Sequence, residues 1–428
     1  MSPTRPRRVA VLADTDSRWK WGMLTAGQLE PTEAVLPCLL QRSDPPSARQ
    51  FHAAGVDPDA VLPLSMAELP HRLAAHPPDV LVIALGGGGV IATVHALLAG
   101  WPAGLRRPVL VSGYFGVVYE KLVEGLAGRA GTDVVLANSP ADVERFRTVY
   151  TGLGIDPAPV VETSLPFLPE PAARRASRPF TLTFATQPSV PASQADRSYL
   201  VDRLVRHARL HPERRVLLKL RSMPGERVTH AEPYPYPALL RRVAGDLPPN
   251  LHLDISAMDE VLVTTDLLVT VSSTAALEAM HAGVPTVLLT DFGVRESLGN
   301  AHFVGSGCLA SFDEIDDGRA PVTDAAWARR HGVGGAGPEA FRARVADLLD
   351  NDLPPLLPYY TLRRSPAYLP WLLADYGLAP DGTAAHPVPD QPGEPVRLLR
   401  RAVRSTARSV YRTGAEVVAP ALRKWGAL

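Results

Sequence analysis

Short apolar runs alternate with amphipathic stretches over residues 8–165, and the same pattern begins again near residue 178. In the first half the runs RRVAVLADTD, DVLVIALGGGG, RPVLVSGYFG and TDVVLANSP predict four strands. In the second half FTLTFATQP, RRVLLKLRS, NLHLDIS, LLVTVSST and VPTVLLTD predict five more. Strands that are apolar almost throughout and separated by helices are typical of parallel sheets covered on both faces.

The pattern predicts an α/β protein with two Rossmann-like, doubly wound domains that face a common cleft. We place the first domain at 1–165, a linker at 166–179 and the second domain at 180–355. A closing helix over 356–378 is expected to cross back to the first domain. A Pro-rich linker at 379–395 then leads to a tail over 396–428.

In open parallel sheets ligands bind beyond the carboxyl ends of the strands, so the loops at these ends are the candidate site. Four glycines that include Gly87 and Gly88 follow one strand and open a helix, which lets a substrate approach the backbone closely. Gly113 and Tyr114 occupy the corresponding loop of the next strand. The glycines lack the spaced fingerprint of dinucleotide-binding proteins, so a nicotinamide cofactor is not expected.

The most specific signal is a strand that ends in Ser272, Ser273 and Thr274 and then opens a helix. Unsatisfied N–H groups at a helix start, together with hydroxyl groups, favour a phosphate. Glu278 lies one turn further along and could accept hydrogen bonds from ribose hydroxyls.

This strand–Ser-Ser-Thr–helix–Glu–Gly-x-Pro stretch resembles the nucleotide-binding half of GT-B glycosyltransferases. It is especially similar to bacterial polysialyltransferases and to transferases of ulosonic acids (Kdo, sialic acid). A set of actinobacterial proteins described as glycosyltransferases is also similar. The resemblance covers residues 178–310, and the first half matches only in architecture.

The resemblance implies that Ser272 and Ser273 bind the phosphate of a CMP-sugar. Lys219 matches the lysine that precedes a His-Pro pair in these families, but that pair is missing here and Arg221 stands after the same strand. Arg221 could pair with a phosphate, although its permanent charge excludes it as a general acid at neutral pH. Thr186 and Gln187 follow the first strand of the second half and are expected to touch the donor.

Inverting sugar transfer needs a base that takes the proton of the acceptor. In the families that the chain resembles the base is an Asp or Glu of the first domain, and Asp14, Asp16 and Glu120 are the candidates here. Asp16 could instead be the N-cap of the following helix. Gly87, Gly88, Gly113 and Tyr114 would then bind the acceptor.

Composition narrows the class of protein further. Lys+Arg and Asp+Glu are both 44, so the net charge is zero, which argues against a nucleic-acid binder. Only four of the basic residues are lysines, so each retained lysine is of interest. Two cysteines cannot form a disulfide framework, and the twelve histidines show no metal-ligand spacing. We therefore expect no metal and no cofactor.

The tail over 396–428 carries eight basic residues and one acid, a net charge of +7. Leu399, Val403, Thr406 and Val410 recur at helical spacing beside a stripe of arginines. A basic amphipathic helix is typical of binding to an anionic membrane surface. With no export signal or membrane span in the sequence, we expect a cytoplasmic protein held at the inner face of the membrane. Docking of this helix on the body or on a second subunit is the alternative, and the oligomeric state is open.

The sequence thus predicts a metal-independent, inverting glycosyltransferase that moves a sugar from a nucleotide donor to a cell-surface or lipid-linked glycan. A CMP-ulosonic acid is the favoured donor. The alternatives are a UDP-sugar hexosyltransferase, an isomerase of the UDP-HexNAc 2-epimerase type, and a catalytically inactive scaffold subunit.

Overall fold

The structure is a computed structural model. It describes residues 7–29, 32–41, 45–117, 121–168, 179–221, 232, 234–243, 245–335 and 337–385. Glu120, most of the linker over 166–179 and the tail over 396–428 lie outside the described residues.

The first half forms a sheet of seven parallel strands in the order β3-β2-β1-β4-β5-β6-β7. The strands are β1 (Arg7–Ala13), β2 (Thr32–Leu40), β3 (Leu62–Leu64), β4 (Val80–Ala84), β5 (Val109–Gly113), β6 (Val134–Ala137) and β7 (Val160–Glu162). Three of them, β2, β3 and β7, were not predicted. Pro37 lies within β2, and a proline argues against a strand because it removes a donor from the sheet ladder. Strands β3 and β7 are three residues each, which is too short to give a pattern.

Alternation along β1 divides the core of this domain between the two faces of the sheet. Ala10 and Leu12 join one apolar cluster, whereas Val9, Val11 and Ala13 join another. The helices of this half are α1 (Asp16–Gly27), α2 (Ala48–Ala53), α3 (Leu69–Ala75), α4 (Gly87–Gly100), α5 (Leu122–Ala127) and α6 (Pro140–Gly152). Since both faces are covered, the central strands β4, β5 and β6 are buried at every residue, as their largely apolar composition predicts.

The second half forms six parallel strands in the order β10-β9-β8-β11-β12-β13. They are β8 (Thr181–Ala185), β9 (Arg215–Lys219), β10 (Leu251–Asp254), β11 (Leu267–Thr270), β12 (Thr286–Leu289) and β13 (Leu309–Ala310). The helices are α7 (Gln194–Leu210), α8 (Tyr236–Leu240), α9 (Met258–Leu262), α10 (Ala275–His281), α11 (Phe312–Asp316) and α12 (Ala325–Arg330). The expectation of two doubly wound domains is confirmed, and only the two-residue strand β13 was not predicted in this half.

Local signals set the helix ends near the site. The Ser139 hydroxyl accepts a hydrogen bond from the Asp142 amide at 3.1 Å, and Pro140 occupies the first position of α6. Gly283 ends α10 with φ at +67°, a conformation that a side chain would strain. The chain can therefore turn at once into β12.

The chain crosses back to the first domain through α13 (Glu339–Asp350) and α14 (Tyr368–Ala374). Phe341, Val345 and Leu348 of α13 pack in the cluster on one face of the first sheet, and α14 packs on the other face. Residues assigned from sequence to the second domain thus contribute to the core of the first. The Arg106 guanidinium donates to the carbonyls of Leu348, Leu349 and Asn351 at 2.6–3.0 Å, a cation at the negative end of α13.

No helix within the described ranges combines the length and apolarity needed to cross a bilayer.

Replacing Phe341 with alanine tests this crossing. Phe341 is fully buried in the first-domain cluster, so Phe341→Ala is expected to lower the free energy of unfolding by about 3–5 kcal/mol. Urea unfolding followed by tryptophan fluorescence measures the change. Leu357→Ala is the matched control, because Leu357 is 72% exposed and its loss should cost less than about 0.5 kcal/mol. Equal effects of the two substitutions would contradict the packing described.

Candidate functional site

The reversal of strand order places a crevice at the carboxyl ends of two neighbouring strands in each sheet. In the first sheet the reversal lies between β1 and β4, whose ends carry Asp14 and Gly86. In the second it lies between β8 and β11, followed by Thr186 and Val271-Ser272. Four of the predicted loops are therefore the ones that the topology selects.

The two sets of loops contact each other. A guanidinium nitrogen of Arg221, after β9, lies 3.6 Å from a carboxylate oxygen of Asp16 at the start of α1. A Cβ added at Gly116, in the loop after β5, would lie 3.4 Å from the Thr274 hydroxyl. The facing strand ends thus form one cleft between the domains.

Gln187 and Ser272 form a hydrogen-bonded pair at the floor of the second domain's loops. The Ser272 amide donates to Gln187 Oε1 at 2.9 Å, and Gln187 Nε2 donates to the Ser272 hydroxyl at 3.1 Å. That hydroxyl itself donates to the Leu298 carbonyl at 2.5 Å. Gln187 and Ser272 therefore hold two loops together, and the Ser272 hydroxyl is already engaged within the protein.

Ser273 and Thr274 are half-buried residues immediately before α10. The Ser273 hydroxyl accepts from the Ala275 amide at 3.2 Å, which leaves its own proton available for donation. Thr274 is the residue that faces Gly116 across the cleft. These two hydroxyls are therefore better placed for a ligand than that of Ser272.

Lys219 ends β9 and is buried, with 7% of its surface exposed. Its ammonium donates to the Leu220 carbonyl at 2.5 Å. Its own carbonyl accepts from the Thr186 amide at 3.1 Å and from the Thr186 hydroxyl at 2.9 Å. Burial lowers the pKa of Lys219, and nearby Lys20 lowers it further, whereas Asp254 and Glu278 oppose the shift.

Glu278 lies on α10 close to both of these lysines. Burial raises the pKa of its carboxyl from 4.5 to about 7, and Asp259 raises it further, while Lys20 and Lys219 oppose the rise. Lys20 belongs to α1 of the first domain, so a cation of one domain and a carboxylate of the other share the cleft. This carboxyl can exchange a proton near neutral pH.

The first domain presents two carboxylates with different partners. Asp14 is held by Arg18, whose Nη1 lies 2.6 Å and 2.7 Å from its two oxygens. Asp16 is the first residue of α1 and faces Arg221 of the second domain. The N-cap of this helix is Thr15, so the cap expected of Asp16 belongs to the preceding residue.

The loops expected to bind an acceptor are more enclosed. A Cβ at Gly88 would lie 3.4 Å from the Tyr376 hydroxyl and from Leu372, so the segment that crosses back covers it. A Cβ at Gly113 would lie only 2.8 Å from the Trp21 side chain, so close packing against Trp21 requires a glycine at this position. Gly87 lies near Arg129 and the Gly128 backbone.

Tyr114 turns into the first domain. Its ring packs against Phe146 and lies 3.9 Å beneath the Arg129 guanidinium, and its hydroxyl donates to the Leu122 carbonyl at 3.3 Å. Phe115, next in sequence, lies 5.7 Å from the Arg18 guanidinium instead.

The structure thus places all eight predicted donor residues in the loops and helix start on the cleft side of the second domain: Thr186, Gln187, Lys219, Arg221, Ser272, Ser273, Thr274 and Glu278. It adds Arg18 and Lys20, which were not predicted. The signal for Lys20 was present, because it is one of only four lysines in an arginine-rich chain. Its position one turn beyond Asp16 on α1 is what carries it into the cleft.

This architecture, two doubly wound domains with a cleft between the strand ends and a chain that crosses back, is the GT-B fold. The family model described as "Putative glycosyltransferase (DUF6716)" matches residues 9–348, and the chain belongs to that family. No curated protein matches the chain.

Solved structures share the fold at low identity. The UDP-N-acetylglucosamine 2-epimerase of Rickettsia bellii is 10% identical with a TM-score of 0.52, over 81% of this chain and 98% of that one. The UDP-GlcNAc 2-epimerase of Neisseria meningitidis bound to UDP-GlcNAc is 10% identical with a TM-score of 0.51, over 80% and 98%. The S. aureus MnaA–UDP structure is 11% identical with a TM-score of 0.51, over 80% and 95%. The glycosyltransferase part of the resemblance is supported, and its polysialyltransferase and ulosonic-acid branch is not.

The raised pKa of Glu278 predicts a pH dependence of stability. The folded protein holds this proton up to about pH 7, whereas the unfolded chain releases it near 4.5. The folded state therefore binds more protons in this window, and the free energy of unfolding falls as pH rises through it, by on the order of 3 kcal/mol. Glu278→Gln should lose this part of the pH dependence. Urea unfolding of both proteins at pH 5 and pH 7.5 measures it, and parallel curves would contradict the assignment.

Proposed function

We propose that the protein is a nucleotide-sugar-dependent glycosyltransferase whose donor binds in the cleft between the two domains. The observation that carries the proposal is that Lys20 of the first domain lies close to Lys219 and Glu278 of the second, beside the helix that begins after Ser273 and Thr274. Two ammonium groups and a helix start lined by hydroxyls suit the phosphates of a nucleotide. Glu278, one turn further along, suits the ribose hydroxyls.

A nucleoside diphosphate sugar, with UDP first, is our choice of donor. The CMP-ulosonate expectation depended on two serines acting together on one phosphate, and the engagement of Ser272 with Gln187 and Leu298 weakens that basis. Two lysines in the cleft suit the larger negative charge of a diphosphate. The UDP ligands named for MnaA and for the Neisseria epimerase make UDP the first nucleotide to test.

Asp16 is our choice of acceptor base in an inverting transfer. Asp14 is held by Arg18 of the following helix α1, whereas Asp16 faces Arg221 across the cleft. A carboxylate at this position can take the acceptor proton as the glycosidic bond forms. Lysine and arginine side chains would neutralise the departing nucleotide, so the proposal requires no metal and no cofactor.

The acceptor in this proposal is a glycan, free or linked to a lipid. Membrane attachment through residues 396–428 stays a prediction from the sequence, because that segment lies outside the described residues.

Nucleotide binding tests the donor site. A thermal-shift panel with UDP, CMP, GDP and ADP should stabilise the protein with UDP, since a ligand at 100 times its Kd contributes about 2.7 kcal/mol. Lys20→Met and Ser273→Ala should each weaken UDP binding about tenfold or more. Arg72→Met is the control, because Arg72 is exposed in the last turn of α3, at the end of the sheet where β4 begins and away from the carboxyl ends of the strands.

The other outcomes of this panel are equally informative. A rise in Tm with CMP alone would favour a CMP-ulosonic acid as the donor instead of a UDP-sugar. Conversion of UDP-GlcNAc without any acceptor would identify an epimerase. No shift with any nucleotide would contradict the proposal and favour the inactive scaffold.

The base is tested by kinetics once a donor is known. Asp16→Asn should lower kcat for transfer by about 10²–10⁴-fold with donor affinity retained, because the amide cannot accept the proton. Donor hydrolysis or transfer to a glycan mixture supplies the assay. Asp59→Asn, at an exposed turn, is the control. A larger loss in Asp14→Asn than in Asp16→Asn would show that Asp14 is the base.

A further inference from the structure

His207, His211 and Asp316 meet on the second domain, at the edge of its sheet opposite the cleft. Helix α7 follows β8 and runs back along the sheet, so its last turn lies away from the carboxyl ends of the strands. His207 is in that turn and His211 is the C-cap residue. Asp316 ends α11, which packs beside α7.

No metal-ligand spacing was expected among the histidines, yet His207 and His211 are four residues apart at the end of a helix. Residues four apart share a helix face, and the two rings have centroids 4.6 Å apart. One ligand atom from each of the three side chains lies within 4.8 Å of the others.

The hydrogen bonds determine which ring nitrogens carry a lone pair. His207 Nδ1 lies 2.7 Å from Asp316 Oδ1, and because a carboxylate only accepts, Nδ1 carries the proton. Its Nε2 is then an acceptor. His211 Nδ1 lies 3.5 Å from a carboxylate oxygen of Glu213, which favours the same tautomer.

Both of these Nε2 atoms are buried, and neither has a hydrogen-bond partner among the residues that the structure describes. The His207 side chain is fully buried. A carboxylate on Nδ1 that orients Nε2 is the usual support for a histidine that binds a metal.

The surrounding charges decide the class of ion. Asp316 Oδ2 accepts from Arg203 at 3.0 Å and lies 3.9 Å from Arg206, and Arg203 also pairs with Asp313 at 2.7 Å. Arg214 lies 3.5 Å from Glu213. Guanidinium and carboxylate charges therefore balance, and the site has no excess of negative oxygen ligands for Mg²⁺ or Ca²⁺. Imidazole nitrogens favour ions such as Zn²⁺ and Co²⁺.

We propose that His207 and His211 bind one transition-metal ion of the zinc class through their Nε2 atoms, while the Asp316 carboxylate of α11 orients His207 through Nδ1. Water completes the coordination of the ion. The site lies away from the donor cleft, so failure of the metal-binding test would leave the proposed transferase function unaffected.

The test uses the full chain without a polyhistidine tag, stripped with EDTA and dialysed against Zn²⁺. One equivalent per chain, a rise in Tm with Zn²⁺ but not with Mg²⁺, and the visible absorption of tetrahedral Co²⁺ are expected. Asp316→Asn should weaken Zn²⁺ binding roughly 10–100-fold. His211→Gln should weaken it at least as much.

His71→Gln, at an exposed histidine outside the cluster, is the matched control and should bind Zn²⁺ normally. Circular dichroism confirms that each variant is folded. Wild-type protein that takes up no Zn²⁺ overturns the proposal without reference to any variant. Full Zn²⁺ binding by folded His211→Gln overturns it equally, because the ion would then lie elsewhere.

Discussion

Burial of parallel strands on both faces is the constraint on which the rest of this structure depends. Strands β4 and β6 are apolar along their whole length, and β4, β5 and β6 are all buried at every residue. Such strands leave no surface for polar chemistry except at their ends. The cleft between the domains is therefore the place where Asp14, Asp16, Lys219 and Ser272 can lie beside a substrate.

Crossing back of the chain ties the two domains into one unit. Helix α13 supplies Phe341 to one face of the first sheet, and α14 supplies Leu372 to the other. Tyr376, just beyond α14, reaches Gly88 at the cleft edge of the first sheet. The residues after the second domain thus complete both the core and the site region of the first.

Opposite charges within the cleft come from different domains. Lys20 and Glu278 are one such pair, and Asp16 and Arg221 are another. Buried or half-buried charges require partners because desolvation penalises them. Burial raises the pKa of Glu278, and Lys20 of the first domain opposes that rise.

Prediction from the sequence succeeded wherever a local signal was strong. The run from Leu268 to Pro285 correctly predicted a strand that ends in hydroxyl residues and is followed by a helix. It failed for β2, β3 and β13, where a proline or a length of two or three residues leaves no readable period. The direction of Tyr114, into the core, could not be predicted because a single aromatic after a strand carries no information about which side it packs on.

The sequence by itself determined the two α/β domains and the polar loops that follow their strands, because these follow from local periodicity and turn chemistry. Only the tertiary structure decided that Ser272 is engaged by Gln187, that Lys20 joins the cleft, and that His207 and His211 meet Asp316. Such contacts join residues that are distant along the chain. Their distances depend on how helices and sheets pack, and no local pattern encodes that.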